Sequence, residues 1–260
     1  MERKTSTLTD QEETGARMSF LEIKGLSKSF GGLTALFRVD LEVNEKEVVG
    51  LIGPNGSGKT TLFNAIMGSF KCDRGSILFR SQDITGLKPY QVCEKGIART
   101  FQLTKPFNRM SCVENVMVGS SFGKDPTSGI KEAKREALDI LKFVGLEEKE
   151  RIYASALNLI ERKRLELARA LATRPRLLLL DEIMAGLNPM EIEMAVGLIR
   201  RINDSGVAMI IVEHVMKALL RVSERVVVLD AGKKIAEGPP KEVVQNQDVI
   251  NAYFGKNFHA

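Results

Sequence analysis

The 260-residue chain contains no apolar run approaching the roughly 20 residues that a membrane-spanning helix needs. Its longest uninterrupted stretches, such as Val48-Val49-Gly50-Leu51-Ile52 and Leu177 to Leu180, fall far short, so these residues are read as not spanning a membrane. Cysteine is scarce too: Cys72, Cys93 and Cys112 are odd in number and show no C-x-x-C spacing. That indicates neither a disulfide framework nor a zinc site, and fits a reducing cytoplasm. Met1 to Arg17 mix charged residues with Ser and Thr and hold no apolar run that could act as a secretory signal, so they read as a disordered extension. No internal repeat or low-complexity tract is visible.

Lysine and arginine exceed acids by 38 to 33, a net charge of +5, which selects neither nucleic acid, nor anionic lipid, nor a phosphorylated ligand. Much of the excess is local, with six basic residues and one acid, Glu166, between Arg162 and Arg176. A solvated helix face accounts for most of it. With 43% hydrophobic and 27% charged residues, the chain has the composition of an ordinary globular protein able to bury a core.

Phe20 to Ile23 and Leu41 to Val49 suit strands, with a turn at Gly31-Gly32 between them. Val48 to Ile52 is wholly apolar and bounded by glycines, as expected of a strand buried on both faces of a parallel sheet. A helix is predicted over Lys59 to Gly68. From about Pro89 to Leu159 no buried-strand run occurs and the residues read as a helical insertion, clearest at Ile130 to Val144. Alternation resumes with helix Leu165–Ala172, strand Leu177–Asp181, helix Glu191–Ile202, strand Ala208–Val212, helix Val215–Val222 and strand Arg225–Leu229. The remainder reads as a hairpin strand, a proline stop and a last helix. Such alternation implies an α/β fold with a mostly parallel sheet and helices on both faces.

Gly53-x-x-x-x-Gly58-Lys59-Thr60 matches a P-loop, and it lies between a predicted strand and a predicted helix as that motif requires. Gly53, Gly56 and Gly58 let the backbone turn its N–H groups inward without interference from side chains, and the helix presents its positive end to phosphate. Lys59 adds a charge at the β- and γ-phosphates, and Thr60 offers a hydroxyl to Mg²⁺. Pro54, Asn55, Ser57 and Thr61 complete the candidate nucleotide contacts. The spacing excludes the dinucleotide fingerprint.

Leu177-Leu-Leu-Leu-Asp181-Glu182 supplies a second element, a buried strand whose end projects two carboxylates next to the P-loop strand. Asp181 suits Mg²⁺, and Glu182 suits orientation and polarisation of an attacking water. A buried strand with a polar end is the plainer alternative, weakened by the P-loop. No N-K-x-D guanine motif occurs, which favours ATP over GTP.

With these motifs in this order the sequence resembles the ATP-binding-cassette (ABC) family from about Met18 to Gly255. The resemblance implies a P-loop NTPase fold with an N-terminal antiparallel β region, a helical subdomain inserted at about 89–165, and a C-terminal hairpin and helix at about 225–255. Phe30 matches the aromatic position that stacks on adenine, although a phenylalanine alone is as readily core. Gln102, in Gly96-Ile-Ala-Arg-Thr-Phe-Gln102, matches the glutamine that reaches Mg²⁺ and the water and links the nucleotide to the transmembrane partner. His214, in Ile210-Ile-Val-Glu-His214, matches the switch histidine at the γ-phosphate; the other histidine, His259, is in the tail. Asn188, in Gly186-Leu-Asn188-Pro189, stands where many cassettes have aspartate in the segment that crosses to the partner's P-loop.

Finer features, among them Ala185-Gly-Leu-Asn-Pro189 and Ile235-Ala-Glu-Gly238 followed by Val249-Ile-Asn-Ala-Tyr-Phe-Gly255, resemble the larger ATPase subunit of branched-chain amino acid importers. The implied assembly has a second ATPase chain, two transmembrane permeases and an extracytoplasmic solute-binding protein. It would sit on the cytoplasmic face of the cell membrane, use ATP and Mg²⁺, and bind no nucleic acid. A soluble ABC ATPase of repair or translation is an alternative, though no tandem cassette, long coiled coil or zinc module is visible. A regulatory half that binds ATP with weak hydrolysis is another, opposed by the presence of Glu182.

One departure is marked. The family's Leu-Ser-Gly-Gly-Gln signature, which grips the partner's nucleotide, is here Leu157-Asn158-Leu159-Ile160-Glu161. Asn158 can still cap the following helix, with Glu161 at the spacing of a capping box. On one reading Leu159, Ile160 and Glu161 weaken the facing site. On the other, Asn158 donates its amide and Arg162 or Lys163 supplies the missing charge. Either way the change favours pairing with a different ATPase chain over self-pairing.

Overall fold

The computed structural model describes residues 19–101 and 105–254. Two long strands open it, β1 (Leu21–Phe30) and β2 (Leu33–Val43), joined in an antiparallel hairpin at Gly31-Gly32. Both are longer than the sequence predicts, because their outer halves alternate or expose their apolar residues and so give no continuous run. β2 also ends at Val43 rather than continuing to Val49: Asn44 to Glu47 form a turn with Lys46 at φ 61.

β3 (Val48–Ile52) and α1 (Lys59–Ile66) follow as predicted, with α1 two residues shorter at its end. β4 (Arg74–Phe79) and β5 (Gln82–Asp83) complete a four-stranded antiparallel sheet in the order β2-β1-β4-β5. The stretch read as wholly helical then departs from expectation. After α2 (Pro89–Glu94) comes β6 (Ile97–Arg99), which pairs in parallel with β7 (Leu177–Asp181) in the main sheet. Three residues ending in arginine are too few to register as a buried-strand run.

Between β6 and β7 the chain is helical: α3 (Cys112–Ser120), α4 (Ile130–Phe143) and α5 (Leu159–Ala172). α5 starts six residues earlier than the apolar periodicity suggests, because Asn158 and Glu161 form the capping box that the sequence allows. α6 (Pro189–Asp204), β8 (Ala208–Val212), α7 (Met216–Val222), β9 (Arg225–Asp230), β10 (Lys233–Gly238), α8 (Pro240–Val243) and α9 (Gln247–Phe254) finish the fold.

The main sheet runs β10-β9-β3-β8-β7-β6, parallel throughout except for β10. Its inner strands β9, β3, β8 and β7 are apolar on both faces, since each face meets a separate core. Leu178, Leu180, Met209, Ile211, Val226 and Val228 join the core beneath α3, α5 and α6. Their neighbours Leu177, Leu179, Ile210, Val227 and Leu229 join the core that α1 shares with the antiparallel sheet. The strand order corrects one expectation: β7 does not adjoin β3, because β8 lies between them. Asp181, Glu182 and His214 therefore emerge from neighbouring strand ends on one side of the P-loop strand.

Candidate active site

The loop after β3 is built for an anion. Gly53, Gly56 and Gly58 have φ of 149°, 79° and 106°. Space as well as conformation demands glycine at two of them. A Cβ on Gly53 would lie 2.0 Å from the Leu229 carbonyl oxygen, and one on Gly58 would lie 2.7 Å from that of Ala35. Gly58 occupies the N-cap of α1 with no side-chain cap, and no acidic residue stands in the first turn. The N–H groups there thus remain available to phosphate.

Lys59 folds back into this loop, donating to the carbonyls of Gly53 (2.7 Å) and Pro54 (2.9 Å) and lying 3.4 Å from Ser57 Oγ. Burial lowers its pKa, while the nearby charges of Glu182 and Asp181 oppose that shift. Asn55, Gly56 and Thr60 are exposed and Thr61 is half-buried, so the mouth of the loop is open. Phe30 lies at the tip of the β1–β2 hairpin, half-exposed, with its ring edge-on to Phe70 at 5.2 Å.

Thr60 and Asp181 line the same cavity, of about 630 Å³. A hydroxyl and a carboxylate lining one cavity are the hard oxygen donors that Mg²⁺ takes, so the donor set fits that ion. Asp181 is not idle in this structure. Arg99, at the end of β6, pairs with it at 2.6 Å, both side chains being almost wholly buried. Arg99 also bonds Asn64 Oδ1 and stacks against Phe63 and Phe101. Gln102, the remaining expected metal contact, lies outside the described residues.

Glu182 has a φ of 52°, the left-handed region that costs a non-glycine residue roughly 1–3 kcal/mol. Its Oε1 is 2.8 Å from His214 Nε2. Against an ionised carboxylate, which only accepts, Nε2 carries the proton. His214 is half-exposed, whereas the Glu182 side chain is mostly covered.

At the altered signature, Asn158 Oδ1 accepts from Glu161 N–H and Glu161 Oε2 accepts from Asn158 N–H. Glu161 is further paired with Lys149 at 3.4 Å. Arg162 and Lys163, the cations expected to supply charge there, both donate to backbone carbonyls and keep their charge. Arg162 is bonded to the carbonyls of Leu157 and Ser155. Lys163 donates to the carbonyls of Glu182, Ile183 and Ala185. Asn188 repeats the capping box at α6 with Glu191, its Oδ1 engaged at 3.0 Å.

Three contacts to the site were not read from the sequence. The Tyr253 hydroxyl on α9 accepts the Gly53 N–H at 2.8 Å. The carboxylate of Glu166 on α5 accepts the Phe101 N–H at 2.9 Å, and burial pushes its pKa up to about 7. Glu213 accepts the Met184 N–H at 2.6 Å, and its pKa is likewise pushed up to about 7 by burial. Tyr253 and Glu213 each lay in a recognised run, the C-terminal one and that of His214, without an assigned role.

Fold and loop together define a P-loop nucleotide-binding α/β domain whose catalytic-type carboxylate and histidine meet at adjacent strand ends. Residues 36–185 match the family model for ABC transporters, and residues 233–259 match that for branched-chain amino acid ATP-binding cassette transporters. The high-affinity branched-chain amino acid transport ATP-binding protein BraF of Pseudomonas aeruginosa is 39% identical over 249 residues, covering 91% of this chain and 98% of BraF. LivG of Escherichia coli K12, of the same description, has the same identity and coverage. The probable LivG of Archaeoglobus fulgidus is 34% identical, over 92% and 96% of the two chains. Among solved structures, the ADP conformation of MJ1267, an ATP-binding cassette of an ABC transporter, aligns with a TM-score of 0.83 and 32% identity, covering 92% of this chain and all of that one. The dimeric cassette MJ0796 aligns with a TM-score of 0.77 at 26% identity, covering 85% and 98%. The chain belongs to the ABC transporter family, as an ATP-binding cassette. Among the described residues no helix is long and apolar enough to cross a membrane.

Proposed function

We propose that the chain binds and hydrolyses ATP on the cytoplasmic face of the cell membrane, driving an importer of branched-chain amino acids or related small polar solutes. The approach of Glu182 Oε1 to His214 Nε2 beside an open phosphate loop carries this reading. The relatives named for branched-chain amino acid transport support the choice of substrate class.

In this reading the N–H groups of the loop and of the start of α1 bind the phosphates, and Lys59 leaves the carbonyls of Gly53 and Pro54 for the β- and γ-oxygens. Thr60 and Asp181, with Gln102, would hold Mg²⁺, which would supply positive charge at the phosphates. Arg99 would have to release or share Asp181 for that carboxylate to serve as a ligand. Glu182 accepts a hydrogen bond from the attacking water and takes its proton as the water oxygen bonds to Pγ and the β–γ bridging oxygen departs with ADP. His214 holds the Glu182 carboxylate through Nε2 and reaches the γ-phosphate. Phe30 stacks on adenine, and Asn158 and Asn188 face a second cassette.

That second ATPase chain differs from this one in its signature, and the pair docks on two permeases served by an extracytoplasmic solute-binding protein. The dimeric form of the neighbour MJ0796 supports cassette pairing. Glu182→Gln tests the reading: ATP affinity should stay within about twofold while turnover falls by a factor on the order of 10³, the scale of losing a general base. Wild-type turnover in Glu182→Gln, measured beside the equivalent change in the partner chain, would move the hydrolytic site off this chain.

A further inference from the structure

The turn from Glu182 to Ala185 is held from two sides by a half-buried lysine and a buried glutamate that have no assigned part in the reaction. Lys163, on α5, directs its ammonium at three carbonyls of the turn: Glu182 at 3.1 Å, Ile183 at 3.3 Å and Ala185 at 2.6 Å. An ammonium has three donors, and here each has an acceptor. From the other side Glu213, at the end of β8 and only 3% exposed, accepts the Met184 N–H at 2.6 Å. Its neighbour His214 holds the Glu182 carboxylate at 2.8 Å. The backbone between these grips is the one that places Glu182 in the left-handed region, at φ 52°.

We propose that Lys163 and Glu213 are positioning residues: they fix the Glu182–Ala185 turn by its carbonyls and its Met184 N–H, so that Glu182 is aimed at His214 and moves with α5. Three observations support this over a merely structural ion pair. The two ionisable groups do not bond each other; each bonds the turn. A lysine spent on carbonyls, rather than on a carboxylate, is matched to backbone placement. The turn's backbone bonds, from Glu182 N–H to Val212, from Ala185 N–H to the Glu182 carbonyl and from Leu187 N–H to the Met184 carbonyl, do not use the Met184 N–H or the Ile183 and Ala185 carbonyls, which Glu213 and Lys163 take. The consequence is a mechanical link inside one chain. α5 begins at Asn158, so whatever engages the start of that helix is transmitted through Lys163 to the backbone of Glu182, about one helical turn away.

The proposal rests on Glu182 being the hydrolytic carboxylate, and the test separates the two ideas. Lys163→Met keeps the apolar stem and removes the donors; Lys163→Arg keeps a cation with donors. In the assembled transporter, Lys163→Met should lower kcat roughly 10- to 100-fold, the scale of a misplaced catalytic group, with the KM for ATP within about twofold. Lys163→Arg should recover most of that loss. In a Glu182→Gln background Lys163→Met should have no further effect, since it acts through that carboxylate. Hydrogen exchange on the full chain gives a readout independent of turnover. The Met184 and Ala185 amides should exchange about tenfold faster in Lys163→Met, and Met184 also in Glu213→Leu, while amides of β3 and α1 keep their protection. Should Lys163→Met fail to fold, Lys163→Gln carries the same measurements. Unchanged kcat and unchanged exchange would overturn the proposal, as would parallel loss of kcat, KM and stability that arginine does not rescue. A Glu182→Gln variant that still turns over ATP would instead overturn the assignment of Glu182, leaving the exchange result to decide the grip.

Discussion

The two helices proposed to face phosphate, α1 and α5, begin in opposite ways. α1 starts at Gly58 with no side-chain cap and no acid in its first turn. α5 starts at Asn158 with a closed capping box, Glu161 in the first turn and Leu159 exposed. A helix N-terminus carries about half a positive charge on unpaired N–H groups. At α1 those groups stay free for a ligand, whereas at α5 the chain's own Asn158 and Glu161 use part of that capacity. On the proposed reading, a helix end becomes an anion site through what is withheld from it, not through the dipole alone.

The largest effect that would probe this comparison lies at the open end. Lys59→Ala removes the one full charge of the loop and should weaken ATP binding by about 3 kcal/mol, on the order of a hundredfold, in a direct titration. Retained affinity would mean that the N–H groups alone make the site.

The closed end can be opened. Changing Asn158→Ser, Leu159→Gly, Ile160→Gly and Glu161→Gln together should raise ATP-driven self-association and the turnover of the chain alone by roughly tenfold, the range of a helix-end interaction with an anion. No change would show that the capped start is no obstacle and would remove the reason for preferring a different partner chain.

A pH experiment bears on the shell around both ends. Glu213, facing Lys163, Glu182 and His214, keeps its proton in the folded chain up to about pH 7, against an ordinary value of 4.5. Between those values the native state holds more protons than the unfolded one, so stability falls as pH rises from about 4.5 to 7 and then levels. Glu213→Gln should make that fall shallower in thermal melts, though not abolish it, because Glu166 titrates over the same range. An unaltered slope would assign the proton elsewhere.

The smallest effects should be alike. Asn158→Ala and Asn188→Ala each remove one capping acceptor and should cost about 1 kcal/mol, a shift of roughly 2–4 °C in Tm. Equal losses would confirm that the two boxes are the same device for stability. A markedly larger loss at Asn158 would mean that it holds more than its helix.

Much of this arrangement was legible beforehand. Leu177–Asp181 and Ala208–Val212 were bounded to the residue because runs of four and five apolar positions are satisfied only between two cores. The capping box at Asn158 followed from spacing alone. β6 was not legible, since Ile97–Arg99 is too short to carry a period. Nor were the roles of Lys163 and Arg99 to be found among neighbouring basic residues that read as a solvated face or an unremarked motif position.

By itself the sequence determined what is local: the glycine spacing that only a phosphate loop satisfies, the apolar runs of the parallel strands, and the order of motifs that marks the ABC family. Tertiary structure alone decided what depends on distance across the chain. It placed β8 between the P-loop strand and the strand of Asp181, turned Arg99 onto that carboxylate, and spent Lys163 on the backbone behind Glu182. The physical reason is that a helix cap or a glycine turn is closed by residues three or four apart, whereas a buried charge finds its partner only after the strands and helices have packed.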